Sequence, residues 1–254
     1  MDVLYSVKCD DDGWDLKMSL RTLERNGRNL GKVVLAGGPF PGWLSGEAVT
    51  VEVPSEYRRK QQNILRAMIS SMERGAIDGP CLYSSDDHFM TRPCDLDDFP
   101  YFTRFGEGAQ IPSEETYARR GIPLNAYRAS ICATRHLLQA HGLPTDMVSG
   151  HVNTHLDARD LGRVAALAGR YWETPFGFEP STLFIAVARR WHGDGIRLVP
   201  RRDVKIRQFQ TLARMDAIEL DGDGFLSCAD SSKCGEFRKW MELRFPEPSR
   251  FEKR

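Results

Sequence analysis

The stretch "CLYSSDDHFM", Cys81 to Met90, decides how the chain is read. Its apolar opening has the length and composition of a buried strand. Two carboxylates and an imidazole, Asp86, Asp87 and His88, follow directly behind it. In open α/β sheets ligands bind outside the carboxyl ends of the strands, so these three residues stand where such a sheet carries its site.

The sequence upstream supplies that sheet. "DVLYSV" (2–7) is a β-type run, and after a polar loop "LKMSLRTLERNG" (16–27) places Leu16, Leu20 and Leu23 at helical spacing, with Gly27 to close the helix. "KVVLAGG" (32–38) is a second buried strand that ends in a Gly-Gly-Pro turn, and "EAVTVEVP" (47–54) is a third. Ser55 is a candidate cap for the helix that follows, where Ile64, Leu65, Met68, Ile69 and Met72 share a face. Strands and helices that alternate in this way predict an α/β fold with a mostly parallel sheet flanked by helices, and "CLYSS" as a central strand.

Downstream the pattern is less regular. Helices are expected over 125–142 ("NAYRASICATRHLLQAHG") and 159–172 ("RDLGRVAALAGRYW"), whereas "STLFIAVARRW" (181–191) fits a strand or a helix. There is no Gly-, Ser- or Pro-rich linker and no internal repeat, so a single domain is expected, with residues 1–110 as one half and 111–254 as the other.

Composition limits the function. The chain has 254 residues, 41% hydrophobic and 28% charged, with 35 basic and 35 acidic residues, as in an ordinary soluble globular protein. Residues 1–110 hold 13 basic and 17 acidic residues, and the remainder 22 and 18. So small an asymmetry does not establish nucleic-acid binding, and the basic run "RRDVKIR" (201–207) reads first as a solvated face. Six cysteines without a CxxC pair suggest reduced thiols. No stretch has the length of a membrane span and no basic segment leads into an apolar core at the start, so a cytoplasmic protein is expected.

Asp86, Asp87 and His88 offer hard oxygens and a borderline nitrogen, suited to a divalent ion such as Mn²⁺ that also touches a diphosphate. On a continuous extended chain, Asp86 and His88 would face the same side. The alternative is that adjacent acids behind a strand cap a turn. "WDLKMSLRTLERN", "RRKQQNILRAM" and "LYSSDDHFM", together with "FLSCADSS" and "FPEPSRFEKR" near the end, resemble nucleotide-sugar glycosyltransferases of the GT-A fold, especially phage and bacterial ones with an Asp-Asp-His segment.

The resemblance implies a GT-A-like Rossmann-type sheet, a nucleotide-diphosphate sugar as donor, in particular a UDP-sugar, and Mn²⁺ or Mg²⁺ as cofactor. The acceptor it implies is a hydroxyl, of a glycan or of a hydroxymethylated pyrimidine in phage DNA. It makes Asp86 and His88 metal or diphosphate contacts, Asp87 a sugar or ribose contact, and Arg21 and Lys60 candidates for the donor pocket. A His-x-Pro segment with a later Asp is matched in part by His151 and Asp157, with Asn153 where Pro is expected. His151 would then complete the metal shell or bind donor, and Asp157 would take the acceptor's proton, unless it simply caps "ARDLGRV". Asp230 in "SCADSS" is the other candidate base, or an ordinary turn residue.

Two further motifs compete. His151 and His155 are four apart, as in zinc proteases, but Val152 stands where that chemistry needs Glu. "ELDGDGFLSCAD" (219–230) imitates a calcium loop, with Glu219, Asp221 and Asp223 at the first, third and fifth places and Gly224 at the sixth. Glu in place of the first Asp and Asp230 in place of the last Glu weaken that reading. We favour a hairpin that turns at "GDG" between "MDAIEL" and "FLSC".

Overall fold

The computed structural model describes residues 1–8, 12–56, 59–103, 110–146, 152–170, 173–193, 196, 198–200, 204–206, 212–221, 224–229 and 235–253. The first half contains β1 (Asp2–Val7), α1 (Trp14–Asn26), β2 (Gly27–Arg28), β3 (Val33–Gly37), β4 (Val49–Glu52), α2 (Lys60–Glu73), β5 (Pro80–Ser85), β6 (His88–Met90), β7 (Cys94–Asp95) and β8 (Tyr101–Thr103). The second half contains α3 (Glu114–Arg119), α4 (Ala126–Ala140), β9 (Thr154–Asp157), α5 (Ala158–Ala168), α6 (Pro180–His192), β10 (Leu198–Pro200), β11 (Lys205–Ile206), α7 (Leu212–Asp221), β12 (Phe225–Cys228) and α8 (Glu236–Arg244).

The main sheet has the order β4-β3-β1-β5-β9, parallel except for β9. Alternation along β1 divides the core. Val3, Tyr5 and Val7 face Leu16, Leu20 and Leu23 of α1, while Leu4 faces α2, α4, α5 and α6. Each fully buried leucine of α1 contributes about 1.5–3 kcal/mol relative to an exposed one. Gly37 ends β3 at φ +128°, and a Cβ there would lie 2.1 Å from the Val7 carbonyl oxygen, so only glycine lets the two strands close at this point.

A second, smaller sheet, β11-β12-β6, lies over another apolar cluster with α7 and α8. α1 grips its edge through a polar stripe. Ser19, Thr22 and Asn26, at positions i, i+3 and i+7, are all buried, and each meets the backbone of β6. The Ser19 hydroxyl donates to the His88 carbonyl (2.5 Å), the Met90 N–H donates to Thr22 Oγ1 (3.2 Å), and Asn26 Nδ2 donates to the Met90 carbonyl (2.7 Å).

The C-terminal segment returns to α1. Phe251 is fully buried with the α1 leucines, and Glu252 bridges to Leu44. The Ser45 N–H donates to the Phe251 carbonyl and the Lys253 N–H to the Trp43 carbonyl, both at 2.8 Å.

Several expectations need correction. α2 begins at Lys60 behind Arg59, so Ser55 does not cap it. "STLFIAVARRW" is the helix α6, buried nearly all round from Pro180 to Ala188, which is why periodicity alone left its type open. "MDAIEL" is helical, not one arm of a hairpin. Met215 and Glu219 share the buried face of α7, Glu219 meets Arg244 of α8 at 2.7 Å, and Trp240 Nε1 donates to Asp216. The calcium-loop reading fails at the same place, because its first ligand is inside a helix and engaged by Arg244. Gly224, at that loop's sixth place, instead lets the chain pass Arg92, whose Cβ would stand 2.6 Å from an added Cβ.

Candidate active site

The chain leaves β1 through α1 to reach β3 on one side, and later inserts β5 on the other. The order of strands therefore reverses between β1 and β5, and a crevice opens outside their carboxyl ends. Asp86 and Asp87 form a two-residue turn in that crevice between β5 and β6. The chain turns here and does not run on extended, so the alternation that would put Asp86 and His88 on one side does not apply.

His88 faces back into the turn instead. The Ser85 N–H donates to Nδ1 (3.4 Å), which leaves the neutral ring's proton on Nε2, 3.8 Å from Asp87 Oδ1. Burial holds this imidazole below its ordinary pKa, against the pull of Asp87 and with the help of Lys205 and Lys60. Lys205 approaches from β11, with Nζ 3.9 Å from Asp87 Oδ2.

Beneath the turn is a polar floor. Ser6 Oγ is 2.9 Å from the Tyr83 hydroxyl, which is 3.4 Å from Ser85 Oγ. Burial pushes the Tyr83 phenol up to about 12, with Asp86 and Asp87 adding to the effect, so it stays neutral. Beside it, at the carboxyl ends of β1, β3 and β4, is a cavity of about 530 Å³ lined by Lys8, Gly37 to Phe40 and Glu52 to Ser55. That volume suits a small ligand.

Some predicted residues are elsewhere. Asp157 pairs with Pro80, at the start of β5, while the turn follows Ser85 at its end. Five residues of strand put the two ends about 16 Å apart. Asp157 accepts from the Arg159 N–H as the cap of α5 and also binds the Arg159 guanidinium, which lowers its pKa. It is the cap of α5.

Arg21 is likewise committed. Its Nε and Nη2 bind Glu252 at 2.7 and 2.8 Å, and Nη1 donates to the Phe245 and Pro246 carbonyls, so its fork holds the segment over residues 245–252. A cavity of about 600 Å³ beside it, lined by α1 and residues 243–249, is distinct from the crevice. His155 lies in β9, half-buried and stacked on Tyr101 (5.0 Å). His151 and Asp230 lie outside the described residues.

Among the described residues no three His, Cys, Asp or Glu side chains converge to hold a metal. The donor set at the turn nevertheless has the chemistry of an ion shared with substrate. Mg²⁺ typically takes one or two carboxylates plus phosphate oxygens, not an all-protein cage. Asp86 and Asp87 provide those carboxylates, and a neutral His88 would ligate through Nδ1 once the Ser85 N–H releases it. Lys205 was present in the sequence only as one residue of a basic run, and nothing local linked it to Asp87.

The fold defined by this sheet and its flanking helices is GT-A-like. In particular, the chain is similar to a crystal structure of an active-site mutant of LgtC, with a TM-score of 0.50 and 10% sequence identity over 96% of this chain and 95% of that one. No family model and no curated protein matches the chain. Among the described residues no helix is long and apolar enough to cross a membrane.

Proposed function

We propose that the chain transfers a sugar from a nucleoside diphosphate sugar, in particular a UDP-sugar, to a hydroxyl acceptor. The observation that carries this reading is the Asp86-Asp87-His88 turn at the switch point, with Lys205 Nζ 3.9 Å from Asp87 Oδ2 and a cavity of about 530 Å³ at the carboxyl ends of β1, β3 and β4. The GT-A-like fold shared with LgtC, a glycosyltransferase, supports it.

In this reading the cavity takes the nucleoside, with Phe40 available to stack on the base and Glu52 to accept from ribose hydroxyls. Residues 1–110 form the donor half and residues 111–254 the acceptor half. Asp86 and Asp87, with His88 and His151, would hold Mn²⁺ or Mg²⁺. That ion would neutralise charge on the departing diphosphate. Lys60 adds positive charge on the same side, where bond breaking makes the diphosphate more negative. The buried Tyr83 phenol keeps its proton and ties the ends of β1 and β5 together through Ser6 and Ser85.

As the bond from the anomeric carbon to the diphosphate breaks, the acceptor oxygen bonds to that carbon and gives up its proton. The Asp230 carboxylate is the base we assign to take it. It follows two residues behind Cys228, whose N–H donates to the Asp87 carbonyl (3.3 Å). The acceptor is a glycan hydroxyl or a hydroxymethylated pyrimidine in DNA, and a salt-dependent affinity for DNA distinguishes the second.

The test is donor hydrolysis and binding across UDP-, GDP- and TDP-sugars, with and without Mn²⁺, for the native chain, Asp86→Ala and His88→Ala. Metal-dependent turnover of one donor, lost in both variants while folding is kept, is expected. Turnover that neither substitution changes refutes the assignment of the site.

A further inference from the structure

Lys205 reaches the turn through a ladder of three strands. β11 pairs with β12 so that Lys205 lies beside Ser227, and β12 pairs with β6 so that Ser227 lies beside His88. Paired residues on neighbouring strands send their side chains to the same face. Lys205, Ser227 and His88 therefore form one row, while Ile206, Leu226, Cys228 and Phe89 turn into the apolar cluster on the other face. The apolar side fixes the register, because a slip of one residue would bury the lysine and expose Ile206.

At the end of this row the ammonium is 3.9 Å from Asp87 Oδ2. That distance is longer than a hydrogen bond, so the pair is held by charge and not by direction. The Asp87 side chain is 18% exposed and that of Lys205 31%, which leaves the ammonium room to swing on its flexible stem. While it stays there it repels any second cation approaching the same carboxylate. A diphosphate bound beside the turn would offer the ammonium a stronger anion than one carboxylate.

We propose that Lys205 changes partners during donor binding: it holds Asp87 in the free protein and turns to the diphosphate oxygens when a divalent ion takes Asp87. This inference rests on the donor reading above. It makes Lys205 an antagonist of metal binding when no nucleotide is present, and an ally of the nucleotide once the metal is in place. An ordinary structural ion pair has only the first of these properties.

The experiment measures Mn²⁺ alone by electron paramagnetic resonance titration, and UDP in saturating Mn²⁺ by calorimetry. It compares the native chain, Lys205→Met and Lys205→Arg, with circular dichroism to verify folding. Lys205→Met is expected to bind Mn²⁺ about threefold to fivefold more tightly, the scale of one partly exposed ion pair. It is expected to bind UDP about tenfold more weakly, the scale of one charge-assisted hydrogen bond. Lys205→Arg, which keeps the cation, should stay within about twofold of native on both. If Lys205→Met folds and shifts both affinities in the same direction, or shifts neither, the partner change is refuted while the donor reading stands. If the native chain binds neither Mn²⁺ nor UDP, the donor reading falls and this inference with it.

Discussion

Replacing Glu252 by Gln removes one charge from the clamp between α1 and the C-terminal segment and keeps the shape of the side chain. Glu252 Oε1 and Oε2 accept from Arg21 Nε and Nη2, and Oε1 also accepts from the Ser249 N–H at 2.9 Å. The side chains are only 15% and 7% exposed, so water compensates little of the loss. Removing one partner of a buried pair costs about 3–5 kcal/mol, because the other charge is left without its counter-ion. Arg21 keeps the Phe245 and Pro246 carbonyls, and an amide oxygen still accepts one bond, so we place Glu252→Gln at about 2–3 kcal/mol.

The assay is urea unfolding at neutral pH for Arg21→Met, Glu252→Gln and the double variant. The singles should each lower stability, and the double should cost clearly less than their sum, since the two residues share one interaction. Donor binding by the folded fraction of Arg21→Met should be unchanged. A loss below about 1 kcal/mol for Glu252→Gln with additive effects would refute the clamp. Arg21→Met with native stability and lost donor binding would return Arg21 to the donor pocket.

Two other outcomes follow from the geometry. Asp157→Ala should lower stability by about 1 kcal/mol through loss of the α5 cap and leave sugar transfer unchanged, read by thermal unfolding and product formation; a large fall in turnover without a stability change would reinstate it as the base. His88 and His155 are both held neutral by burial, so the unfolded chain binds protons that the folded chain does not. Stability should be fully present above the ordinary histidine pKa of 6.5 and fall as pH drops below it, by up to about 1.4 kcal/mol per pH unit for each group. Urea midpoints at pH 7.5 and 5 should show this, and His155→Leu should reduce the slope.

The sheet was legible because its signals are local. β1, β3, β4 and β5 are short apolar runs, and α1 and α2 carry their leucines and methionines at helical spacing. Helix α7 was misread because "MDAIEL" alternates well enough for a strand, and only packing against Trp240 and Arg244 decides for a helix. The acidic turn was legible as a site from its place behind a strand. Its geometry was not, since the reversal at Asp86–Asp87 depends on β6 being taken up by β12, well over a hundred residues later. Lys205 was hidden for the same reason. The Arg21–Glu252 pair was not legible, because an arginine on an amphipathic helix looks the same whether it meets a nucleotide or a distant glutamate.

The loop that continues from the cavity wall at Phe40 has its partners at the far end of the sequence. Ser45 binds the Arg250 carbonyl and Lys253 binds the Gly42 carbonyl, across separations of 205 and 211 residues. On a ribosome, where the chain emerges from its N-terminus, β1, β3 and β5 can pair long before these partners exist. The sheet can therefore be assembled while the rim of the cavity still lacks its bonds to residues 250–253. Synthesis of residues 250–253 closes that rim, and a chain cut before them should fold its centre yet lack it.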